Sequence, residues 1–150
     1  MAIIDYNAQF CDADTITATV TDAIIGDVYD TGATPTTKDL GTNGGRPIYL
    51  VISIDDAVTS NGSATVEFTL LSDSTANLAT SATTHWRSGD IPKATLTAGH
   101  VICVPLPPGL YERYLGLFAN TKTQTLNAGS CSAYLTFDPP TTKTAYPDGL

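Results

Sequence analysis

Apolar residues recur along this chain with a period of two, and no stretch sustains the 3.6-residue period of an amphipathic helix. A strand turns successive side chains to opposite faces, so this pattern commits the chain to half-buried β-strands. Thr15 to Val20 alternates cleanly, and Ile24 to Tyr29 reads as a second short strand behind it. Asp30 to Pro35 and Gly41 to Pro47 read as loops, with Asn43-Gly44-Gly45 supplying positive φ. Ile48 to Ile54 is the most apolar run and fits a central strand. The turn signal Ser60-Asn61-Gly62-Ser63 leads into the alternating run Ala64 to Leu71, and the two runs together predict a hairpin.

Beyond them, Asp73 to Thr83 is small and polar, and weakly helical at best. Thr84 to Arg87 makes a short strand before the turn Ser88-Gly89-Asp90. Val101 to Leu106 is a strand that Pro105 pushes to a sheet edge or a strand end, closed by Pro107-Pro108-Gly109. Tyr111 to Ala119 is a further strand, and Ala128-Gly129 turns the chain into the last one, Cys131 to Phe137. Roughly eight short strands between turns predict an all-β fold: an antiparallel β-sandwich of the jelly-roll kind. The sequence has 150 residues, which suits one domain. Residues 1–138 are assigned to that domain and 139–150, a Pro-containing stretch, to an extended C-terminal tail.

Charge narrows the function. Charged residues make up 15% of the chain and the net charge is −8. The acid is almost all Asp, because Glu67 and Glu112 are the only glutamates. The seven Lys and Arg are scattered, so no basic patch forms to displace the counterions of a nucleic acid or to meet an anionic membrane. No stretch approaches the ~20 apolar residues of a membrane span, and Met1-Ala2-Ile3-Ile4-Asp5 lacks the basic start of a signal peptide. The odd, widely spaced set Cys11, Cys103 and Cys131 reads as reduced, buried thiols of a protein made in a cytoplasm.

Catalytic signatures are missing. His85 and His100 are the only histidines, too few for the His cluster of a metal-binding jelly roll, and each fits a structural or surface place. Asp12 with Asp14, and Asp55 with Asp56, lack the calcium-loop spacing and read as turn aspartates. Neither a Gly-x-Ser-x-Gly elbow nor a phosphate loop occurs, though a spatial triad with a Ser or Cys stays open. Glu67 and Glu112 lie in alternating runs, which predicts a solvent face for both rather than a glycosidase pair. Arg113, pointing away from Glu112, is expected to pair across strands or to cap a sheet end. No enzyme and no cofactor is expected.

Several stretches resemble a known family. Ala8 to Thr17, Pro47 to Ile54, Thr65 to Ser81, Leu126 to Thr136 and, most specifically, Pro108-Gly109-Leu110-Tyr111-Glu112-Arg113-Tyr114-Leu115-Gly116-Leu117 resemble the Bbp16-like capsid cement proteins of tailed bacteriophages. The resemblance covers about residues 8–138. It implies a jelly roll on the outside of an icosahedral shell, bridging capsomers of a phage major capsid protein. It also implies a homo-oligomer, with a dimer favoured, and a virion location after synthesis in the bacterial host.

For such a role, extended termini suit contacts with neighbours. Met1–Tyr6, with Ile3, Ile4 and Tyr6, and Asp138–Leu150, with Pro139, Pro140, Tyr146 and Leu150, are the expected partner contacts, Tyr146 being the aromatic anchor. Trp86 and Arg87 form a second candidate contact, against which stands a Trp partly buried in the sandwich. A carbohydrate-binding module, with Trp86 and the seven tyrosines as a stacking platform, is the alternative.

Overall fold

A computed structural model describes residues 8–16, 22–41, 45–79 and 81–140. The described chain is all β. Its strands are β1 (Gln9–Thr15), β2 (Asp22–Ile24), β3 (Tyr29–Asp30), β4 (Lys38–Asp39), β5 (Tyr49–Thr59), β6 (Thr65–Asp73), β7 (Thr83–Arg87), β8 (Ile91–Pro92), β9 (Val101–Pro105), β10 (Leu110–Tyr111), β11 (Tyr114–Lys122) and β12 (Ala128–Thr136). Sheet A runs β1-β12-β5-β9, and sheet B runs β2-β11-β6-β7, with β3 also on β11 and β8 also on β6. A short ribbon joins β4 to β10.

The pairings β6·β7, β5·β9, β2·β11 and β1·β12 are all antiparallel and nested one inside the next. One long antiparallel ribbon rolled into two sheets gives this pattern, which is the jelly-roll topology. The expected hairpin between Ile48–Ile54 and Ala64–Leu71 is therefore corrected. β5 lies between β12 and β9, whereas β6 lies between β11 and β7. Ser60 to Ala64 carries the chain across from one sheet to the other, and Ser60 Oγ donates to the Thr125 carbonyl at 2.6 Å to hold the crossing.

Between the sheets lies the core. Leu50, Ile52 and Ile54 of β5 meet Val66, Phe68 and Leu70 of β6, all at most 1% exposed. Burying each such side chain is worth about 1.5–3 kcal/mol. Three expected strands have different bounds. The first begins at Gln9 and ends at Thr15, where Thr15–Val20 was expected, and residues 17–20 lie outside the described set. Its pairing with β12 shifts register twice, and Ala13 stands at φ 54°, so its alternation is hidden in the sequence. Ile24–Tyr29 divides into β2 and β3 at Gly26, which sits at φ 64°. Tyr111–Ala119 divides into β10 and β11, with Glu112 and Arg113 in the break.

Glu67 is a further correction. It is 6% exposed rather than solvated, and Lys122 Nζ at 2.5 Å and Arg87 at 3.5 Å compensate its charge. Arg113 does pair across strands, meeting both carboxylate oxygens of Asp30.

Candidate partner-binding face

The two sheets differ in what covers their outward sides. Four buried apolar side chains among the described residues stand outside the core: Leu71, Leu78, Val51 and Tyr134. The first pair belongs to sheet B. Gly116 of β11 lies opposite Leu71, and a Cβ on it would come within 2.2 Å of Leu78 Cδ1. Leu78 thus rests on a glycine floor and roofs the outward side of sheet B, with Val28 beside it. Asp73, fully buried at the start of that roof, accepts hydrogen bonds from the Ser74, Thr75 and Ser81 side chains. Burial pushes its carboxyl up, but these bonds and backbone N–H donors hold it below the ordinary carboxylate value. The Glu67, Arg87, Lys122 and Asp90 network extends the seal.

The second pair belongs to sheet A. Leu50, Ile52 and Ile54 face the core, so Tyr49, Val51, Ser53 and Asp55 of β5 face outward. Val51 has Tyr134 of β12 on one side and Cys103 of β9 on the other. Tyr49 and Pro105 form the next row, and Ser53 with Val101 the row on the other side. Val101 is 45% exposed, and Pro105 and Asp55 are exposed as well. Burial raises the Cys103 thiol, and it raises Tyr134 too, helped by the Cys103 charge nearby. Tyr134 and Cys103 thus shield Val51 within the sheet surface, while the rim of the patch stays open. Contiguous outward apolar residues of this kind mark interaction surfaces.

Along the strands the face is polarised. Past the Tyr49 end, where β12 has ended, Phe137 has the parity of core-facing Leu135; it is 49% exposed and carries the Arg46 guanidinium 5.1 Å from its ring centre. At the other end, Ser132 Oγ donates to Asp55 Oδ2 at 2.7 Å and lies 3.5 Å from Asp12 Oδ1. No ion pair among the described residues reaches Asp12 or Asp55. The described cations are engaged elsewhere: Lys38 on the Thr31 and Gly32 carbonyls, Lys93 on that of Ser60, and Arg113 on Asp30. Asp12 also lines a cleft of about 580 Å³ beside β1, together with Asp14, Asp27 and Asp30.

The expected contact residues fall on different parts of the fold. Trp86 and Arg87 lie on β7, in sheet B. The Trp86 ring packs against the core opposite Leu70, and Arg87 turns to Glu67. Half-buried Pro139 and exposed Pro140 follow the end of β12 in sheet A, so the structure does not bring the two sets together. Ile3, Ile4, Tyr6, Tyr146 and Leu150 lie outside the described residues. Sequence reasoning missed Val51, Cys103, Val101 and Tyr134. A signal was there, since Ile48 to Ile54 is apolar at both parities and a strand apolar on both faces needs cover on both.

His85 and Ser72 form a Ser–His contact at 2.7 Å. Ser72 is fully buried, accepts the Glu112 N–H at 3.0 Å, and shares a hydrogen bond with His85 Nε2 whose direction follows the imidazole tautomer. The imidazole stacks on Tyr111 with centroids 3.8 Å apart, and burial lowers its pKa. This cluster fastens β6, β7 and β10 together. Cys11 and Cys131 are buried free thiols, and Cys11 Sγ donates to the Cys131 carbonyl at 3.4 Å. Among the described residues, no three His, Cys, Asp or Glu gather to hold a metal ion, and no helix is long and apolar enough to cross a membrane.

The Bbp16 family model matches residues 10–135, most of the chain. The chain belongs to the Bbp16 family. No curated protein matches it. The family is a phage-associated one and points to a structural protein of a bacteriophage, in association with the virion. A domain of this build offers a sandwich whose sheet A carries an exposed apolar rim on its outward side.

Proposed function

We propose that this Bbp16-family protein is a capsid cement protein: it binds the outside of an icosahedral phage capsid and bridges capsomers of the major capsid protein, without catalysis or cofactor. The observation that carries the reading is the outward side of sheet A, where Val101 and Pro105 form an exposed apolar rim around the buried Val51 and Tyr134. Packaged DNA pushes a shell outward, and contacts between capsomers are individually modest. A protein added across a seam buries ~1,200–2,000 Å² per specific interface, and shell symmetry repeats that gain at every equivalent position. A homo-oligomer, a dimer in the favoured form, attaches at two points, so modest contacts combine through effective concentration. The segments at 1–6 and 138–150 add reach along a neighbour.

Reconstitution tests this. Capsids assembled from the major capsid protein alone, mixed with purified cement protein, should bind it to saturation and withstand heating to a higher temperature than bare capsids. A chain cut after Asp138 should stay folded and bind more weakly; unchanged binding removes the tail from the interface. Failure of the full chain to bind, or binding with no gain in capsid stability, contradicts the cement role.

A further inference from the structure

The polarity of sheet A specifies more than a place of attachment. Its outward side has an apolar middle row, Tyr134-Val51-Cys103, and an acidic end where Asp12 and Asp55 share Ser132 with no ion pair among the described residues. The acid continues around the β1 edge into the cleft lined by Asp14 and Asp27. A face of this build leaves two needs unmet: cover for the Val101, Tyr49 and Pro105 rim, and opposite charge for Asp12 and Asp55. Both are met together only by a partner whose apolar patch has Lys or Arg on one side.

Resting on the cement reading, we infer that the outward side of sheet A is the docking face, and that its occupant is a protein surface with an apolar centre flanked by Lys or Arg that meet Asp12 and Asp55. The rim of Val101, Pro105 and Tyr49, with Cys103 between them, supplies the apolar contact, and the acids fix its direction. Complementary charge at the rim accelerates encounter and selects the register rather than supplying most of the affinity. Reversed docking leaves Asp12 and Asp55 without the partner's counter-charges, so the face accepts one orientation. Cys103 sits in the middle row and is the one partly exposed cysteine of the three, so its thiol reports on occupancy without an added label site.

The test uses the full chain and capsids assembled from the major capsid protein alone, across a series of salt concentrations, with maleimide labelling of Cys103 as a footprint. Expected results are binding that weakens as salt rises and Cys103 labelling at least tenfold slower on the capsid. Asp55→Lys should bind at least tenfold more weakly, and Glu112→Lys, the same reversal of charge away from this face, within twofold of the native chain. Circular dichroism confirms that both variants fold; Asp55→Asn, which keeps a hydrogen-bond partner for Ser132, replaces Asp55→Lys if that variant does not.

If the native chain binds but Asp55→Lys binds equally well and Cys103 labels at the free rate, another face docks: the inference falls and the cement role stands. If the native chain does not bind, both fall together. Protection of Cys103 in the free protein overturns the inference in either of two forms. Dependence on the protein's own concentration gives the face to a second copy, and loss of protection on cutting after Asp138 gives it to the chain's own tail.

Discussion

Val51 faces Tyr134 across the β5–β12 ladder, on the side of sheet A that points away from the core. Its neighbour Leu50 points the other way, and both are at most 1% exposed. Burial alone therefore does not separate core from surface in this sheet, but register does. Leu50→Ala should cost about 2–5 kcal/mol, since it empties packed volume between the sheets. Val101→Glu, on the outward side at 45% exposure, should change stability by no more than about 0.5 kcal/mol while weakening capsid binding. Urea unfolding of the two variants checks the contrast, and equal losses contradict the assignment of faces.

Gly26 joins β2 to β3 at φ 64°, and a Cβ there would lie 2.1 Å from the Phe10 carbonyl oxygen. That carbonyl accepts the Asp27 N–H at 2.6 Å, which ties the edge strand β1 to the opposite sheet. Gly26→Ala meets both a left-handed backbone and a backbone clash, so it should cost about 1–3 kcal/mol or more. Hydrogen exchange should show the loss concentrated in β1; an unchanged melting temperature contradicts the tie.

Acid should destabilise the fold through two aspartates. The Arg113 guanidinium, with the Gly32 N–H, holds Asp30 down to about 2 from its ordinary 3.8. Asp73 is lowered as well, its hydrogen bonds outweighing burial. A carboxyl lowered in the folded state stabilises it fully above its unfolded pKa, and that gain is lost as pH falls toward the folded value. The melting temperature should therefore drop between about pH 4 and pH 2, and Asp30→Asn should flatten part of that slope. Asp73→Ala leaves the donors of the 74–81 turn without their acceptor and should cost about 1–3 kcal/mol at pH 7.

His85 gives a second pH window with the same sign. Burial lowers its pKa below 6.5, so the unfolded chain takes up a proton before the folded one does. Stability is complete above 6.5 and declines as pH falls below it. His85→Gln should remove the decline below pH 6.5. A native melting temperature that stays flat below pH 6.5 contradicts a neutral, half-buried imidazole on Ser72.

The strand inventory was largely legible because period-two alternation is local. Ile48–Ile54, Ala64–Leu71, Val101–Leu106 and Cys131–Phe137 all correspond to strands. Pairing was not, because in a jelly roll β5 finds β12 and β9 rather than the strand that follows it. Local turn chemistry at Ser60–Ser63 looks the same for a hairpin and for a crossing between sheets. Glu67 was misplaced for a related reason: the cations that make its burial tolerable come from Arg87 and Lys122, 20 and 55 residues away. The docking face escaped notice because Val51, Cys103 and Tyr134 meet only through the register of three strands.

The most direct measurement is quantitative mass spectrometry of purified virions, counting this protein against the major capsid protein. A cement role predicts a fixed stoichiometry of order one per capsid subunit. Absence from the particle, or a handful of copies, contradicts it and moves the open face of sheet A to a tail structure, a glycan or a partner outside the virion.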